Sequence, residues 1–304
     1  MATPTLTGPA RRPAPLDRST PTVVGHRTTI GGRVADVAGW VVLILVTVAF
    51  LLPFYLLIRN GLATTREVTS PAWTVFPKDL QWSNVTALFT DSDIPMLSSL
   101  KNSAVVAALT TLGTLLVCSL AAYALARIPN RFSNAIFYAV LATLMIPAAV
   151  TFVPSFVIVS WLGWVSDYRG LIIPGLFSGF TVFLFRQYFL AFPKELEEAA
   201  RVDGLGHWRT FWRIVVPNSG NFIAAIAVIT FIASWNAFLW PLVVAQDQES
   251  WTVQVTLSTF VTAQTINIPQ LFVAATVSIL PLVFVFVFLQ RFLVQGVAQT
   301  GLKG

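Results

Sequence analysis

Charged residues, glycines and aromatic rings gather in one stretch of an otherwise apolar chain, residues 193–217. Its first half carries three glutamates, the last of which is Glu198, followed by the small side chains of Ala199 and Ala200. A carboxylate can accept strong hydrogen bonds from a cationic group on another molecule. The stretch is therefore suited to binding the surface of another molecule, and its residues do not form a recognisable catalytic set.

Two short helices joined by a glycine turn are predicted to position these residues. Pro193 suits a first helical position, and the acidic first turns complement the helix dipole. Gly204 stands where the first helix should end. The second helix is expected to carry an apolar stripe and to stop at Pro217. The stripe comprises Trp208, Phe211, Trp212 and Val215. From these patterns alone, a surface amphipathic hairpin between two membrane spans is an equally good interpretation.

The composition is that of an integral membrane protein. Of 304 residues, 56% are hydrophobic and only 11% are charged, whereas soluble domains average roughly 25% charged residues. The net charge of +6 is interpreted as a membrane-topology signal and not as nucleic-acid binding. A lone Cys118 cannot form an intrachain disulfide, and the isolated His26 and His207 suggest no metal site. A phosphate-binding Walker A loop is absent from the sequence, so the chain is not expected to hydrolyse ATP itself.

Apolar runs predict an all-α protein with six transmembrane helices. Residues 1–35 are expected to be a disordered tail, residues 36–294 the six-helix domain, and residues 295–304 a short C-terminal tail. The predicted spans are Val37–Ile58, Ser103–Ala126, Asn134–Leu162, Leu171–Phe192, Asn221–Val244 and Pro269–Leu293. Pro147 and Pro154 predict a kink or a break in the third span, at which pore lining and simple bending are both open.

The distribution of basic residues predicts the orientation. With six spans, both termini and residues 193–217 lie on one side of the membrane. That side holds 14 of the 19 lysines and arginines. Basic loops stay in the cytoplasm, so both termini are expected to be cytoplasmic.

The spacing of residues 193–217 resembles a known family. Glu198, Ala199 and Ala200, then Gly204, Ile214 and Pro217, are similar to the E-A-A-x3-G-x9-I-x-L-P loop of ATP-binding-cassette (ABC) importer permeases. Val216 replaces the leucine of that pattern. The resemblance implies a type I ABC importer fold in the bacterial inner membrane, with residues 193–217 as the cytoplasmic coupling helix that docks on a separate ATPase.

Further segments resemble the smaller six-helix subunit of maltose-type sugar importers. They are residues 167–172, residues 235–241 and residues 289–304. The resemblance implies three kinds of partner besides membrane lipid: a second permease, two ATPase copies that hold ATP and Mg²⁺, and an external sugar-binding protein facing residues 252–268. It implies no cofactor in this chain and no enzymatic activity.

Three residues of the fifth span are candidates for the substrate path: Trp235, Asn236 and Trp240. Indole rings suit sugar faces, and an amide at membrane depth needs a hydrogen-bonding partner. An interhelical hydrogen bond and interfacial tryptophans explain the same residues equally well. The predicted substrate is a di- or oligosaccharide such as trehalose or maltose. The alternatives are an ABC permease for glycerol phosphate, a polyamine or a peptide, and an ion-coupled secondary transporter, which the lack of acidic residues at mid-depth disfavours.

Overall fold

The computed structural model describes residues 30–90, 94–262 and 267–301. Helices joined by turns and short loops make up all of these residues, which contain no strand. Most of the predicted N-terminal tail and the last three residues of the predicted C-terminal tail lie outside the described residues. Residues 30–35 already belong to the first helix, and the last helix continues to Gly301.

Fifteen α-helices follow one another in the described residues. The first eight are α1 Ile30–Gly61, α2 Thr65–Thr69, α3 Ser83–Thr90, α4 Met96–Arg127, α5 Ser133–Thr143, α6 Ala148–Trp161, α7 Tyr168–Ile172 and α8 Gly179–Ala191. The remaining seven are α9 Lys194–Val202, α10 His207–Thr210, α11 Val216–Asn218, α12 Gly220–Trp235, α13 Leu239–Val244, α14 Val253–Thr262 and α15 Ile268–Gly301. Short 3-10 turns cover Ile173–Gly175 and Gln248–Ser250, and a π-helical turn covers Phe211–Val215.

The described residues divide into two compact units, with the boundary between Leu52 and Pro53 inside α1. In the first unit, the described side chains of residues 36–52 are all exposed and almost all apolar. Such a helix requires a surrounding lipid phase, since its apolar surface would be costly to hydrate. All other elements belong to the second unit.

The prediction of six membrane spans is confirmed, but three of the spans are broken. Asp36–Gly61, Met96–Arg127 and Ile268–Arg291 are continuous apolar helices. The third span bends by 96° between α5 and α6, immediately before Ala148. The expected break therefore falls at Pro147, while Pro154 is accommodated inside α6.

Two further spans were wrongly predicted to be continuous. The fourth bends by 45° between the 3-10 turn and α8, where Ser178 caps the new helix by accepting from the Thr181 amide at 3.2 Å. The fifth ends at Trp235 and resumes as α13 at Leu239. Neither sequence contains a proline at the break itself, so the apolar run alone concealed the interruption.

Helix α4 is the central element of the second unit. Its side chains enter all three buried apolar clusters, through Tyr123 near one end, Val106 in the middle and Met96 at the other end. Close packing depends on small residues: a Cβ at Gly113 would lie 2.5 Å from the Leu176 side chain. The ends of this helix, called here the Arg127 end and the Met96 end, position the two regions described next.

Candidate functional site

Residues 193–217, called here the coupling segment, begin with α9 at the Arg127 end of α4. The Schellman geometry predicted by a glycine at this position is present. The Leu205 amide donates to the Ala200 carbonyl at 2.9 Å, and the Gly204 amide donates to the Arg201 carbonyl at 3.0 Å. Gly204 has a φ of 79°, which non-glycine residues adopt only with strain. The glycine turn between the two helices is confirmed.

The second half of the segment differs from the predicted single helix. Four residues of α10 lead into the π-helical turn Phe211–Val215, whose extra residue per turn rotates the side chains that follow. Phe211 and Val215 are buried, but Trp208 and Trp212 are exposed. The predicted four-residue apolar stripe is therefore wrong, because the segment divides its apolar residues between two faces.

The outer face of α9 carries two of the six motif residues. Glu198 and Ala199 are exposed, as is Val202, whose side chain is 89% exposed. Ala200 lies on the opposite face and is 3% exposed. Val202 stands four residues after Glu198, so the two exposed side chains are neighbours on α9.

Of the two remaining motif residues, Ile214 is half-buried within the π-helical turn and Pro217 is exposed in α11. Between Asn218 and Gly220 the chain turns by 81° into α12. The coupling segment therefore continues directly into the membrane helix α12. A displacement of the segment can be passed to that helix along the backbone.

The inner face of α9 is held by an ion pair. Arg127 Nε lies 3.1 Å from Glu197 Oε1, with both side chains largely removed from solvent. Burial raises the pKa of the Glu197 carboxyl, and the charge of Arg127 acts in the opposite direction. The sequence analysis selected Glu198 and not Glu197. The sequence features connected with this pair are an arginine at the end of the second predicted span and consecutive glutamates after the fourth.

A cavity of about 510 Å³ lies among the membrane helices of the second unit. Three helix breaks open onto it: Ala148 at the start of α6, Ser178 before α8 and Ala237 between α12 and α13. Interrupted backbone at membrane depth is tolerated where it is buried in protein or lines a water-accessible cavity. The cavity therefore explains how the backbone at these breaks is tolerated at membrane depth.

The cavity wall is rich in hydroxyl groups and free of charge. Its hydroxyl-bearing side chains are Thr110, Thr114, Thr151, Ser155, Ser178, Thr181, Thr230 and Ser234. Aromatic surface comes from Phe152, Phe180 and Trp240. None of the described lining residues is charged. Hydroxyls with aromatic faces suit a neutral, polyhydroxylated molecule, whose hydroxyls need partners and whose C–H faces pack on rings.

The three candidate path residues have different positions. Trp240 lines the cavity, and its indole N–H donates to the Gly170 carbonyl at 3.0 Å. Trp235 is buried in a core cluster, and its indole donates to the Ser278 carbonyl at 3.1 Å. Asn236 is exposed and accepts from Gln254 at 3.3 Å. The structure thus brings Trp240 to the cavity and leaves Trp235 and Asn236 out of its lining.

A neutral hydrogen-bond network at the Met96 end of α4 escaped the sequence analysis. The Asn102 amide donates to the carbonyls of Glu249 and Trp251 at 2.7 and 2.9 Å, and its oxygen accepts from the Tyr168 hydroxyl at 2.6 Å. Ser103 accepts from the Val253 amide at 2.8 Å. These bonds attach the chain that enters α14 to α4. An asparagine directly before a predicted span was the available signal.

The residues Asp167–Gly170 support the same end. Asp167 caps α7 by accepting from the Arg169 amide at 2.7 Å and also pairs with its guanidinium at 2.9 Å. These hydrogen bonds hold the pKa of Asp167 below its ordinary value. Gly170 leaves room for a neighbour, because a Cβ there would lie 2.2 Å from the Trp164 carbonyl oxygen.

Comparison with known proteins gives a consistent set of matches. A family model described as "binding-protein-dependent transport system inner membrane component" matches residues 115–299. The chain is 32% identical over 269 residues to the lactose transport system permease protein LacG of Rhizobium radiobacter, covering 88% of this chain and 97% of the relative. It is also 32% identical over 290 residues to the arabinooligosaccharides transport system permease protein AraQ of Halalkalibacterium halodurans, covering 95% and 100%.

Two further matches widen the range of substrates and support the fold. The sn-glycerol-3-phosphate transport system permease protein UgpE of Yersinia enterocolitica is 31% identical over 274 residues, covering 88% of this chain and 98% of the relative. A solved chain from a bacterial ABC transporter involved in import of the acidic polysaccharide alginate superimposes with a TM-score of 0.76 at 22% identity. That superposition covers 86% of this chain and 98% of the other.

Proposed function

The chain belongs to the family of binding-protein-dependent transport system inner membrane components, and we propose that the solute it imports is a neutral sugar. A member of this family is a multi-pass permease subunit of an ABC importer and a transport component, not an enzyme. Membership removes the ion-coupled secondary transporter from consideration. What stays open is the solute, the docking geometry and the orientation in the membrane.

The uncharged, hydroxyl-lined cavity is the observation that carries the choice of solute. A phosphorylated solute would require an arginine or lysine to compensate its charge, and a polyamine would require acidic groups. The described lining residues include neither. A volume of about 510 Å³ falls within the range of roughly 300–1,000 Å³ typical of small-molecule sites. A disaccharide such as trehalose or maltose, with Trp240 against one sugar face, satisfies these conditions.

Uptake by the reconstituted transporter tests this choice. The complex, assembled with its second permease, ATPase and binding protein, is supplied with labelled trehalose, maltose, lactose and sn-glycerol 3-phosphate in turn. We expect ATP-dependent uptake of a neutral sugar and none of the phosphate. Uptake of the phosphate alone, or uptake without ATP, would refute the proposal.

Two threonines provide a matched test of the cavity. Thr230 of α12 is half-buried and lines the cavity, whereas Thr111 of α4 is buried outside its lining. Thr230→Val should slow sugar uptake about fivefold, the value of one neutral hydrogen bond of about 1 kcal/mol. Thr111→Val is the control and should leave uptake within twofold of wild type. Equal effects of the two changes would show that the cavity is not part of the sugar path.

The outer face of α9 is proposed as the docking surface for the ATPase. Glu198, Ala199 and Val202 are exposed together on one short helix, and Gly204 sets the turn that places the rest of the coupling segment. Docking on a cytoplasmic ATPase puts both termini in the cytoplasm, in agreement with the distribution of basic residues. ATP and Mg²⁺ then belong to that ATPase, and the α14 region would face the sugar-binding protein on the other side.

Val202→Asp tests the docking surface. A charge at the centre of a desolvated contact should reduce co-purification of the ATPase at least tenfold, because it would be buried without a partner. Val75→Asp places the same charge at another exposed valine and should leave co-purification unchanged. Normal ATPase recovery with Val202→Asp would show that the ATPase binds elsewhere.

A further inference from the structure

The Arg127 end of α4 holds the coupling segment at two points. Arg127 Nε lies 3.1 Å from Glu197 Oε1, and the two side chains are 6% and 5% exposed. A terminal guanidinium nitrogen of Arg127 also donates to the carbonyl of Phe192, the residue that precedes the coupling segment. One arginine therefore fixes both the inner face of α9 and the chain that enters it.

The pair lies directly behind the proposed docking surface. Glu197 and Glu198 are consecutive, so their side chains leave the helix about 100° apart. Glu198 is exposed and Glu197 is buried. Within a single turn of α9, Glu198 therefore points towards the proposed ATPase surface and Glu197 is paired with Arg127 of α4.

The same arginine ends the helix that lines the cavity. α4 runs unbroken over 32 residues and contributes Thr110 and Thr114 to the cavity wall. At a rise of 1.5 Å per residue, Thr110 lies about 26 Å from Arg127 along the helix axis. Two other helices that line the cavity, α8 and α12, adjoin the coupling segment along the backbone. α4 is not adjacent to it in the chain, so side chains must join the two.

Because both charges are buried, separating Arg127 from Glu197 is energetically costly. Removing one member of a buried ion pair leaves an uncompensated charge in a poorly solvated site. Lys194, Arg201 and His207 also act on the Glu197 carboxylate from a distance. Within the described part of the chain, Arg127 is the cation at salt-bridge distance from it.

We propose that the Arg127–Glu197 ion pair is the mechanical link through which movement of α9 displaces α4 and thereby reshapes the cavity. The two residues are positioning residues: they touch neither sugar nor ATPase and act by keeping the two helices together through the transport cycle. The inference rests on the proposed docking of α9 on the ATPase. It assigns to Glu197 a role distinct from that of its neighbour Glu198.

The ratio of sugar transported to ATP hydrolysed tests the link. Glu197→Gln and Arg127→Gln each remove one charge, and the double variant Glu197→Arg with Arg127→Glu reverses the pair. The control is Asp79→Asn, which removes the charge of an exposed carboxylate outside the coupling segment. All variants are assayed in the complete complex, with the amount of co-purified ATPase measured in parallel.

We expect each single variant to retain the ATPase and its hydrolysis while transport per ATP falls at least tenfold. The reversed pair should return the ratio to within about threefold of wild type, and Asp79→Asn should match wild type. A merely structural pair would instead lower the yield of complex and leave transport per ATP unchanged, which would overturn the proposal.

Two outcomes keep this test separate from the proposed function. Failure of the wild-type complex to take up any sugar with ATP refutes the proposed function itself. Normal wild-type uptake, with single variants that transport as much sugar per ATP as wild type, refutes only the link. If the single variants do not accumulate in the membrane, the reversed pair decides: restored coupling supports the link, and lost coupling at normal complex levels overturns it.

Discussion

The two ends of α4 attach their neighbours by different chemistry. At the Arg127 end, a buried ion pair holds α9. At the Met96 end, neutral amides and hydroxyls hold the chain that leads into α14, with Asn102 making three hydrogen bonds. Each neutral bond contributes about 1 kcal/mol, whereas breaking a buried ion pair costs about 3–5 kcal/mol.

This difference suggests different mechanical duties. At the Arg127 end one side chain makes both attachments, to Glu197 and to the Phe192 carbonyl, so loss of that arginine removes them together. The neutral network spreads the attachment over several groups, including Ser103 and the hydroxyl pair of Ser99 and Thr256, 2.6 Å apart. The Arg127 end is therefore suited to transmit force through one side chain, and the Met96 end to keep a loop in place.

Glu197→Ala should produce the largest loss of stability. The variant leaves the Arg127 guanidinium buried without its counter-charge, at a cost of about 3–5 kcal/mol. Thermal melting of the detergent-solubilised complex measures the effect, with Glu195→Ala as the exposed control. A melting temperature equal to that of the control would show that the pair is solvated in the assembled protein and would remove the contrast between the two ends.

Asn102→Leu should have the next largest effect, about 2–3 kcal/mol. The change leaves two backbone carbonyls and the Tyr168 hydroxyl without their partner, and each unsatisfied buried group is costly. Asn134→Leu, the same change at an exposed asparagine that accepts a single hydrogen bond from Arg186 at 3.2 Å, is the control for the melting experiment. A loss as large as that of Glu197→Ala would mean that the neutral end is as concentrated as the charged one.

Gly170→Ala tests the packing behind the Met96 end. A Cβ there would lie 2.2 Å from the Trp164 carbonyl oxygen, so the backbone must shift, at a cost of about 1–3 kcal/mol. At the control position, Gly175, the added Cβ would meet Thr110 at an ordinary 3.4 Å. Similar melting temperatures for the two alanine variants would contradict the tight approach of α7 to its neighbour.

Gly204→Ala should have the smallest effect, about 1–2 kcal/mol, from backbone strain alone. Its φ is 79° and no atom lies within 4 Å of an added Cβ. Gly206 has an equally open surrounding but a φ of −77°, so Gly206→Ala should be neutral or slightly stabilising. Melting of the two variants, compared with their transport per ATP, separates the conformation of the turn from the ion pair beside it.

Much of the protein could be predicted from local signals. Long apolar runs identify the spans, because a bilayer core requires about 20 apolar residues per helix. Gly204 identifies the helix end, since only a residue tolerant of positive φ fits there. Pro147 identifies the break before α6 for the same local reason: it removes a backbone donor and clashes with the preceding turn.

The attachments between helices were not predictable in this way. Arg127 and Glu197 are 70 positions apart in the chain, and Asn102 bonds to residues almost 150 positions later. The breaks before α8 and after α12 contain no proline. They persist because neighbouring elements and the cavity satisfy or accommodate the freed backbone.

By itself, the sequence determined that this chain is an all-helical membrane protein. It also determined that a polar segment separates two of the apolar runs and turns at Gly204. Those properties depend on hydropathy and on backbone conformations that single residues set. Only the tertiary structure decided which glutamate faces outward, which of Trp235, Asn236 and Trp240 reaches the cavity, and which groups hold the two ends of α4. Those outcomes depend on side chains from distant positions meeting in space, and burial by such neighbours determines whether a polar group docks, lines a path or joins two helices.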